Sequence, residues 1–534
     1  MEVALVRAVT IKVYKGGLSA FWMFIMKSAF FNAGSHDFST AGITLKLVDN
    51  SCKHVWLDLH FVIADEAALH SLYCCKGSGG IKPCMLCTNI VNIAYRARRL
   101  VENDRLRIAR CSNTCEFDSL VMHTSASVDA LINKLDGLHA TVGKTEFEEV
   151  EKLLGWNRRP DSAMWDPEFR KRIDPSTKAT YDGMHCFFVS GVFKELTGQL
   201  VWHVRNANIP LKSLHDYVSS WKFPKAIADK TGVAEAFSHD RLASSLKAYT
   251  FKASASEGLG IYPILAQFCN SIKTTHGLGP HCECFLALAR CIALWQRATR
   301  RLSTADELKV ALVHFLRCYA IVYGPESMGM IKLHLILHLC TQFDRQLSCW
   351  VHERKHKSIK KYANEVRNTS SNWDVSVHRS VTSEHVKRLE AMAASEFHDS
   401  ARLVDAHDPS RKVMALFQEV FAGDGLTFKT ANVAMVSAFR EKIAVTDIAM
   451  LRTGEIGKVK WHVAIQQGDD VIHNSCVQLL RIDVEEERIY KCRFTDEHQL
   501  VDTDTFLCSL VHAGREDQVV SVIKPLHCLS HRAI

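Results

Sequence analysis

The sequence predicts a multidomain α/β protein: a core of short strands, a large helical block set into it, and a β-rich C-terminal module. Three observations predict this. Short β-like runs fill residues 1–64 and the last of them ends on Asp65. Helical periodicity prevails from Asn89 to Leu200 and again over 212–345. From about Val413, short apolar runs alternate with Gly, Asp and Asn turns, the pattern of a small β-barrel or sandwich.

Taken in order, residues 3–13, 43–48 and 55–64 read as strands, with turns at Gly16-Gly17 and Gly42. Residues 67–73 read as a helix and 77–83 as a loop. The helical block breaks at Pro160 and Pro175 and includes periodic stretches at 284–300, 304–323 and 330–343. A charged helical connector occupies 354–412, and β-rich runs follow at 427–439, 443–451, 457–465, 471–483, 489–494 and 519–523. The expected divisions are therefore 1–110 for the first part of the core, 111–330 for the insertion, 331–412 for a histidine helix and connector, and 413–534 for the β-rich domain.

Length and composition exclude several classes. With 534 residues, 47% of them hydrophobic and 23% charged, the chain can bury several cores and lacks the composition of a disordered protein. The apolar stretch at 18–26 is followed by Lys27; it is too short to span a bilayer and too far inside the chain for a signal peptide, so no membrane role is expected. Without an export signal, the 19 cysteines are expected to be reduced, and only those at ligand spacing support a metal. The formal charge of +8 favours polyanionic partners, chiefly through two clusters. One is Arg354, Lys355, Lys357, Lys360 and Lys361; the other is Arg96, Arg98, Arg99, Arg105, Arg107 and Arg110. Solvated helix faces are the plainer reading of both.

The chemistry-bearing pattern is split along the chain. Asp65 precedes Cys84-Met85-Leu86-Cys87, and far downstream His334 and His338 precede Glu353. A Cys-x2-Cys turn supplies two thiolates from one loop, and histidines four apart lie on one helix face, so the four fit a tetrahedral structural zinc site. Buried thiols and two satisfied histidines are the alternative. Cys74-Cys75, Cys111 with Cys115, and Cys282 with Cys284 have poorer ligand spacing. Asp65 and Glu353 are of the kind that holds paired Mg²⁺ or Mn²⁺ ions for phosphodiester cleavage. Asp65 followed by Glu66 and an alanine-rich run also reads as a helix N-cap. Asp182 and His185 form an Asp-x2-His step that reads as a polar anchor or a ligand pair.

The string from Ile63 through Asp65 to Leu69, the Gly-rich turn into Cys84 and Cys87, and Tyr181-Asp182-Gly183-Met184-His185 through Gly191 resemble blocks of CACTA-type transposases. Trp221-Lys222-Phe223-Pro224, residues 332–338 and residues 349–357 follow in that family's order, so the resemblance spans about 55–365. It implies an RNase H-like core interrupted by a helical insertion, as in the similar Transib transposases and the V(D)J recombinase. It further implies Asp65 as the second acid of a DDE triad and Glu353 as its Glu. Cys84, Cys87, His334 and His338 would be the zinc ligands, the basic residues after Glu353 would bind DNA phosphates, and the location would be nuclear. The triad's first Asp has no match: Glu2, Asp37, Asp49 and Asp58 are the acids upstream, and none sits in a family motif. A shortened element with degenerate catalysis is therefore expected.

The rival expectations are an inactive zinc-braced nucleic-acid or chromatin-binding scaffold and a zinc-scaffolded protein without a DNA role. Homo-oligomerisation and a ligand of unknown type for the β-rich domain complete the expected partners.

Overall fold

The structure is a computed structural model. It describes residues 17–32, 36–46, 50–91, 115–225, 230–274, 277–299, 301–342, 362, 376–377, 379–384, 386–387, 401–421, 425–436, 441–468, 470–514 and 519–525. The expected strand at 3–13, the arginines at 96–110, Glu353 and the basic residues Arg354, Lys355, Lys357, Lys360 and Lys361 lie outside the described residues. The protein is a mixed α/β chain that divides into two compact units, residues 1–192 with 304–386 and residues 193–303 with 387–534. Boundaries at 110, 330 and 412 do not coincide with this division. Among the described residues, no helix is long and apolar enough to cross a membrane.

The first described element is a helix, Gly17–Ala29, which lies between the β-like runs expected at 3–13 and 43–48. Ile25 is the one β-branched residue across 18–26, so nothing local favours a strand there. The helix is held by Ser19, whose hydroxyl accepts the Ala163 amide at 3.1 Å, and by Trp22 edge-on to Phe169. Strands β1 (Phe31–Asn32) and β2 (His36–Asp37) form one antiparallel pair, and β3 (Ile43–Lys46) and β4 (Cys52–Val55) another. The expected strand at 55–64 shrinks to β5 (Val62–Ala64). It runs parallel to β6 (Ala179–Tyr181), with Ala64 opposite Tyr181.

Helix Glu66–Tyr73 follows β5 directly, and helix Gly183–Phe187 follows β6 after Asp182. Helix Ala305–Tyr323 starts on a capping box between Thr304 and Glu307 and buries Leu308, Leu312, Phe315, Leu316 and Tyr319 at helical spacing. The single helix expected over 330–343 is broken into Ile331–Leu335 and His338–Thr341.

The second unit joins helices to a long antiparallel sheet. Its helices Ala255–Ile272 and Gly279–Ala298 bury an almost continuous apolar surface that includes Ile261, Leu265, Phe285 and Leu288. Strand β7 (Trp221–Lys222) belongs to the sheet although it precedes the other sheet strands by some two hundred residues. After β8 (Arg402–Val404) and the helix Arg411–Val420 come β9 (Thr427–Ala431), β10 (Val433–Val436), β11 (Glu441–Ala444) and β12 (Ile448–Leu451). They are followed by β13 (Ile456–Gln467), β14 (Asp470–Glu485), β15 (Ile489–Asp502), β16 (Phe506–Ser509), β17 (His512–Ala513) and β18 (Val520–Ile523).

The sheet order is β16-β12-β13-β14-β15-β18-β17-β7, with β9 also paired to β13, and β11-β10-β8 form a separate three-stranded sheet. The path of eight strands is open, and a segment about 200 residues upstream supplies one edge, so the sheet extends beyond the expected module of 413–534. Its core falls into clusters: Ile448, Ile456, Leu480, Cys492 and Val522 fill one, and Phe417 from the preceding helix packs with Phe428, Val463 and Ile465 in another.

One polar group is sealed inside this sheet. His462 is fully buried; its Nε2 donates to the Ile443 carbonyl at 3.1 Å, and its Nδ1 meets the Ser475 hydroxyl at 2.7 Å. Burial pushes its pKa down from 6.5 to about 4, against the Ile443 hydrogen bond. The unfolded chain therefore takes up a proton that the folded one refuses. The stabilising contribution is complete above pH 6.5, declines as pH falls from there, and is gone below about 4. We expect denaturant unfolding at pH 4.5 to lose on the order of 3 kcal/mol relative to pH 7 from this group alone. His462→Gln should flatten the decline between these pH values, measured by amide-exchange protection of β13; an unchanged decline would assign it elsewhere.

Candidate metal centre

Four side chains predicted as ligands meet in one buried space. One atom each from Cys84, Cys87, His334 and His338 lies within 4.8 Å of all the others, and all four residues are buried. His338 Nε2 is 3.3 Å from Cys84 Sγ, 3.5 Å from Cys87 Sγ and 3.0 Å from His334 Nε2. Two soft thiols and two imidazoles around a common point can hold a metal ion such as zinc.

The cysteine loop is shaped by its neighbours. The Leu86 amide donates to Cys84 Sγ at 3.3 Å, which favours a thiolate. Cys87 forms an isolated bridge with Met122, flanked by bonds from Thr88 N to Val121 O and from His123 N to Leu86 O, both 2.8 Å. The run leading into Cys84 leans on the end of helix Lys144–Leu154: Lys76 N donates to Gly155 O, and Ile81 N to Lys152 O. Gly155 caps that helix with φ +81, and a Cβ there would sit 2.2 Å from the Lys82 carbonyl oxygen. Only glycine meets both demands.

The histidine segment is fixed from the other side. The break after Leu335 keeps both rings on one side, with their Nε2 atoms facing each other. Gln342, just beyond, is buried and acts as a surrogate strand edge for β6: its Oε1 accepts the Tyr181 amide at 3.0 Å and its Nε2 donates to Ala179 O at 2.7 Å. Lys332 reaches Glu66 Oε2 at 3.5 Å and donates to the His185 carbonyl at 3.2 Å. The Tyr181 ring packs against His338 at 5.8 Å. The cluster is thus tied to the helix after Asp65 and to the strand before Asp182.

The protonation states suit a metal. Burial would push the Cys84 thiol up, but the Cys87 hydrogen bond and the facing His338 and His334 rings hold it well below the ordinary range. Burial disfavours protonated His334, against the pull of Cys84. A thiolate beside a neutral imidazole is the form that coordinates. By contrast, burial raises the thiols of Cys74 and Cys75, neither of which joins the cluster; Cys282 and Cys284 lie inside helix Gly279–Ala298, and Cys111 is outside the described residues.

The acidic residues present a different picture. Asp65 Oδ1 caps the following helix by accepting the Ala68 amide at 2.6 Å. Asp182, fully buried, accepts the Met184 and His185 amides and contacts His185 Nδ1. Because Ala64 and Tyr181 are register partners, Asp65 and Asp182 leave the same end of a parallel strand pair. That juxtaposition was not read from the sequence: Asp65 closes a β-like run, but the three residues before Asp182 lie in a stretch read as helical and prove to be strand β6. Of the upstream acids, Asp37 pairs with Arg172 at 2.6 Å and with Ser39; slight burial works against these contacts, which hold its carboxyl below the usual range. Asp58 lies 3.8 Å from the same Arg172, while Glu2 and Asp49 are outside the described residues. The Cys/His cluster is the one group of potential ligands found among the described residues.

Compared with protein families, curated proteins and solved structures, the chain matches none. Its own geometry carries the functional reading.

Two outcomes follow from this packing. Gly155→Ala should displace the Lys82 carbonyl and weaken metal binding by about tenfold or more, measured by chelator competition, while Gly137→Ala, with open space around its Cβ, should not. Gln342→Leu removes both partners of the β6 backbone groups and should cost on the order of 2 kcal/mol in denaturant unfolding of the first unit.

Proposed function

We propose that this chain is a transposase-derived, zinc-braced DNA-binding protein. In this reading, residues around β5 and β6 belong to an RNase H-like core, and the intervening helices form its insertion. The observation that carries it is the convergence of Cys84, Cys87, His334 and His338 beside the paired strand ends that bear Asp65 and Asp182. A structural zinc there would fix the cysteine loop to the histidine segment. The role is bracing, since a site closed by four protein ligands leaves no open position for substrate. DNA contact falls to Arg354, Lys355, Lys357, Lys360 and Lys361, which would act as phosphate-binding point charges and position the protein rather than read bases. The site of action would be the nucleus.

A second reading, in which Asp65 and Glu353 hold Mg²⁺ or Mn²⁺ for strand cleavage, is weakened at Asp65, whose Oδ1 caps the following helix. Asp182, the acid beside it at the strand ends, is engaged by two amides and His185. The scaffold without catalysis is therefore the stronger form of the proposal.

Elemental analysis of the purified chain should give one zinc per molecule, with Cys84→Ser and His338→Ala both losing it; zinc retained in both would remove the brace. DNA affinity should fall steeply with salt, and changing Arg354, Lys355 and Lys357 together to Gln should reduce the log–log salt slope by about 1 per lost contact. Binding with no salt dependence would sink the DNA assignment. Incubation of labelled duplex with Mg²⁺ or Mn²⁺ should yield no nicking; nicking abolished by Asp65→Asn would restore the catalytic reading.

A further inference from the structure

In the second unit, three helices, Val192–Asn206, Leu211–Ser219 and His239–Ala248, border a half-open groove of about 800 Å³. Its apolar floor includes Phe237, Leu242 and Leu246, all buried. Two further rings line it: Trp202, partly buried, and Tyr249, 52% exposed, with their centroids 6.3 Å apart and their planes at 43°. Arg205, Lys212 and Lys247, one from each helix and all exposed, also line the groove.

Tyr249 is held against its conformational preference. It caps its helix at φ +52, with its amide on the Leu246 and Ser245 carbonyls, in the left-handed conformation that ordinarily falls to glycine or asparagine. A bulky ring there costs stability that a smaller residue would not, and its exposure leaves half of it without packing in return. Arg205 and Lys247 lie in the last turns of their helices, where cations are favourable in any case. That does not account for their convergence on two aromatic rings. Fixed charge adds to theirs: Leu211 and His239 start helices that carry no side-chain cap, and both line the groove, so the partial charge of the first amides lies beside it whatever the side chains pair with. Among the described residues, no acid lines the groove; Asp216 and Asp240, next to it in sequence, are exposed and set against His215 and His239 at 3.3 and 3.4 Å.

We propose that this groove binds a single nucleic-acid strand, with bases stacked on Tyr249 and Trp202 and phosphates met by Arg205, Lys212 and Lys247. Aromatic faces beside separated cations match a chain in which flat bases alternate with phosphates. An acidic peptide would meet the cations and leave the ring faces without partners, and a duplex keeps the faces of its bases stacked on one another. The half-open form lets a chain enter and leave, where a sealed pocket would select a small molecule. The inference goes beyond the phosphate contacts proposed for Arg354, Lys355 and Lys357 and beyond the zinc brace, and any one of the three can fail alone.

The full chain with Arg354, Lys355 and Lys357 changed to Gln removes those contacts and leaves the groove. Fluorescence anisotropy of this parent with a twelve-nucleotide oligothymidylate should show saturable binding, tighter than to a duplex of the same length. In that background Tyr249→Asn should weaken oligothymidylate binding at least about fivefold, the loss of one stacked base. Because Asn accepts φ +52 more readily than Tyr, this variant should unfold at or above the parent's temperature, so loss of binding is separable from loss of fold. Arg205→Gln with Lys247→Gln should lower the log–log salt slope by about 0.7 per lost contact. Ultraviolet crosslinking to an oligothymidylate with a central 5-iododeoxyuridine, mapped by mass spectrometry of peptides, should place the adduct on Trp202 or Tyr249. Thymidine monophosphate binding as tightly as the oligomer, polyglutamate of equal charge competing as well as the oligomer, unchanged affinity in Tyr249→Asn, or adducts only on other peptides would each overturn the strand site.

Discussion

The first unit depends on closing a very long loop. Cys84 and His338 are 254 positions apart, yet their sulfur and nitrogen atoms lie 3.3 Å from each other. Holding the ends of a flexible segment of that length together costs on the order of 5 kcal/mol in chain entropy. Among the described residues, the direct polar ties that help include the two Gln342 bonds to β6 and the Lys332 contacts, each worth about 1 kcal/mol or less, and the surface ion pairs of Lys309 with Asp118 and Arg317 with Glu116. A structural zinc in a small domain contributes roughly 10–16 kcal/mol, enough to dominate the closure. A metal in the Cys/His space would accordingly set the register of everything attached to it, including the helix that Asp65 caps and the strand that leads into Asp182.

The acids near the cluster have local partners of their own. Asp65 and Asp182 stand side by side at the ends of β5 and β6, the placement that strand ends give to catalytic carboxylates in many α/β proteins. Here each is the N-cap of the helix that follows. A carboxylate satisfied by backbone amides is well placed to hold a fold and poorly placed to take up a hard metal ion.

Much of this was legible in the sequence, for identifiable reasons. The Cys-x2-Cys turn and the histidines four apart have spacings that coordination chemistry demands, and those four side chains do converge. The apolar runs after 427 are bounded by Gly, Asp and Asn turns, so β13, β14 and the first part of β15 were readable. Other features carried no local signal. Helix Gly17–Ala29 is apolar on most sides, which blurs its period. The break between Leu335 and His338 follows from burial of both rings against Tyr181 and the thiols, a tertiary demand. Strand β7 is two residues long and becomes a strand only because β17 pairs with it.

The β7–β17 pairing bears on how the chain is made. Lys222 meets its partner His512 only after nearly three hundred further residues have left the ribosome, an interval of roughly 15–60 s at ordinary translation speeds. Through that interval the nascent second unit has a strand without a sheet, and its buried helices await part of their cover. Holdase chaperones would find their substrate in that waiting stretch, and premature termination anywhere before β17 would leave it permanently open to self-association.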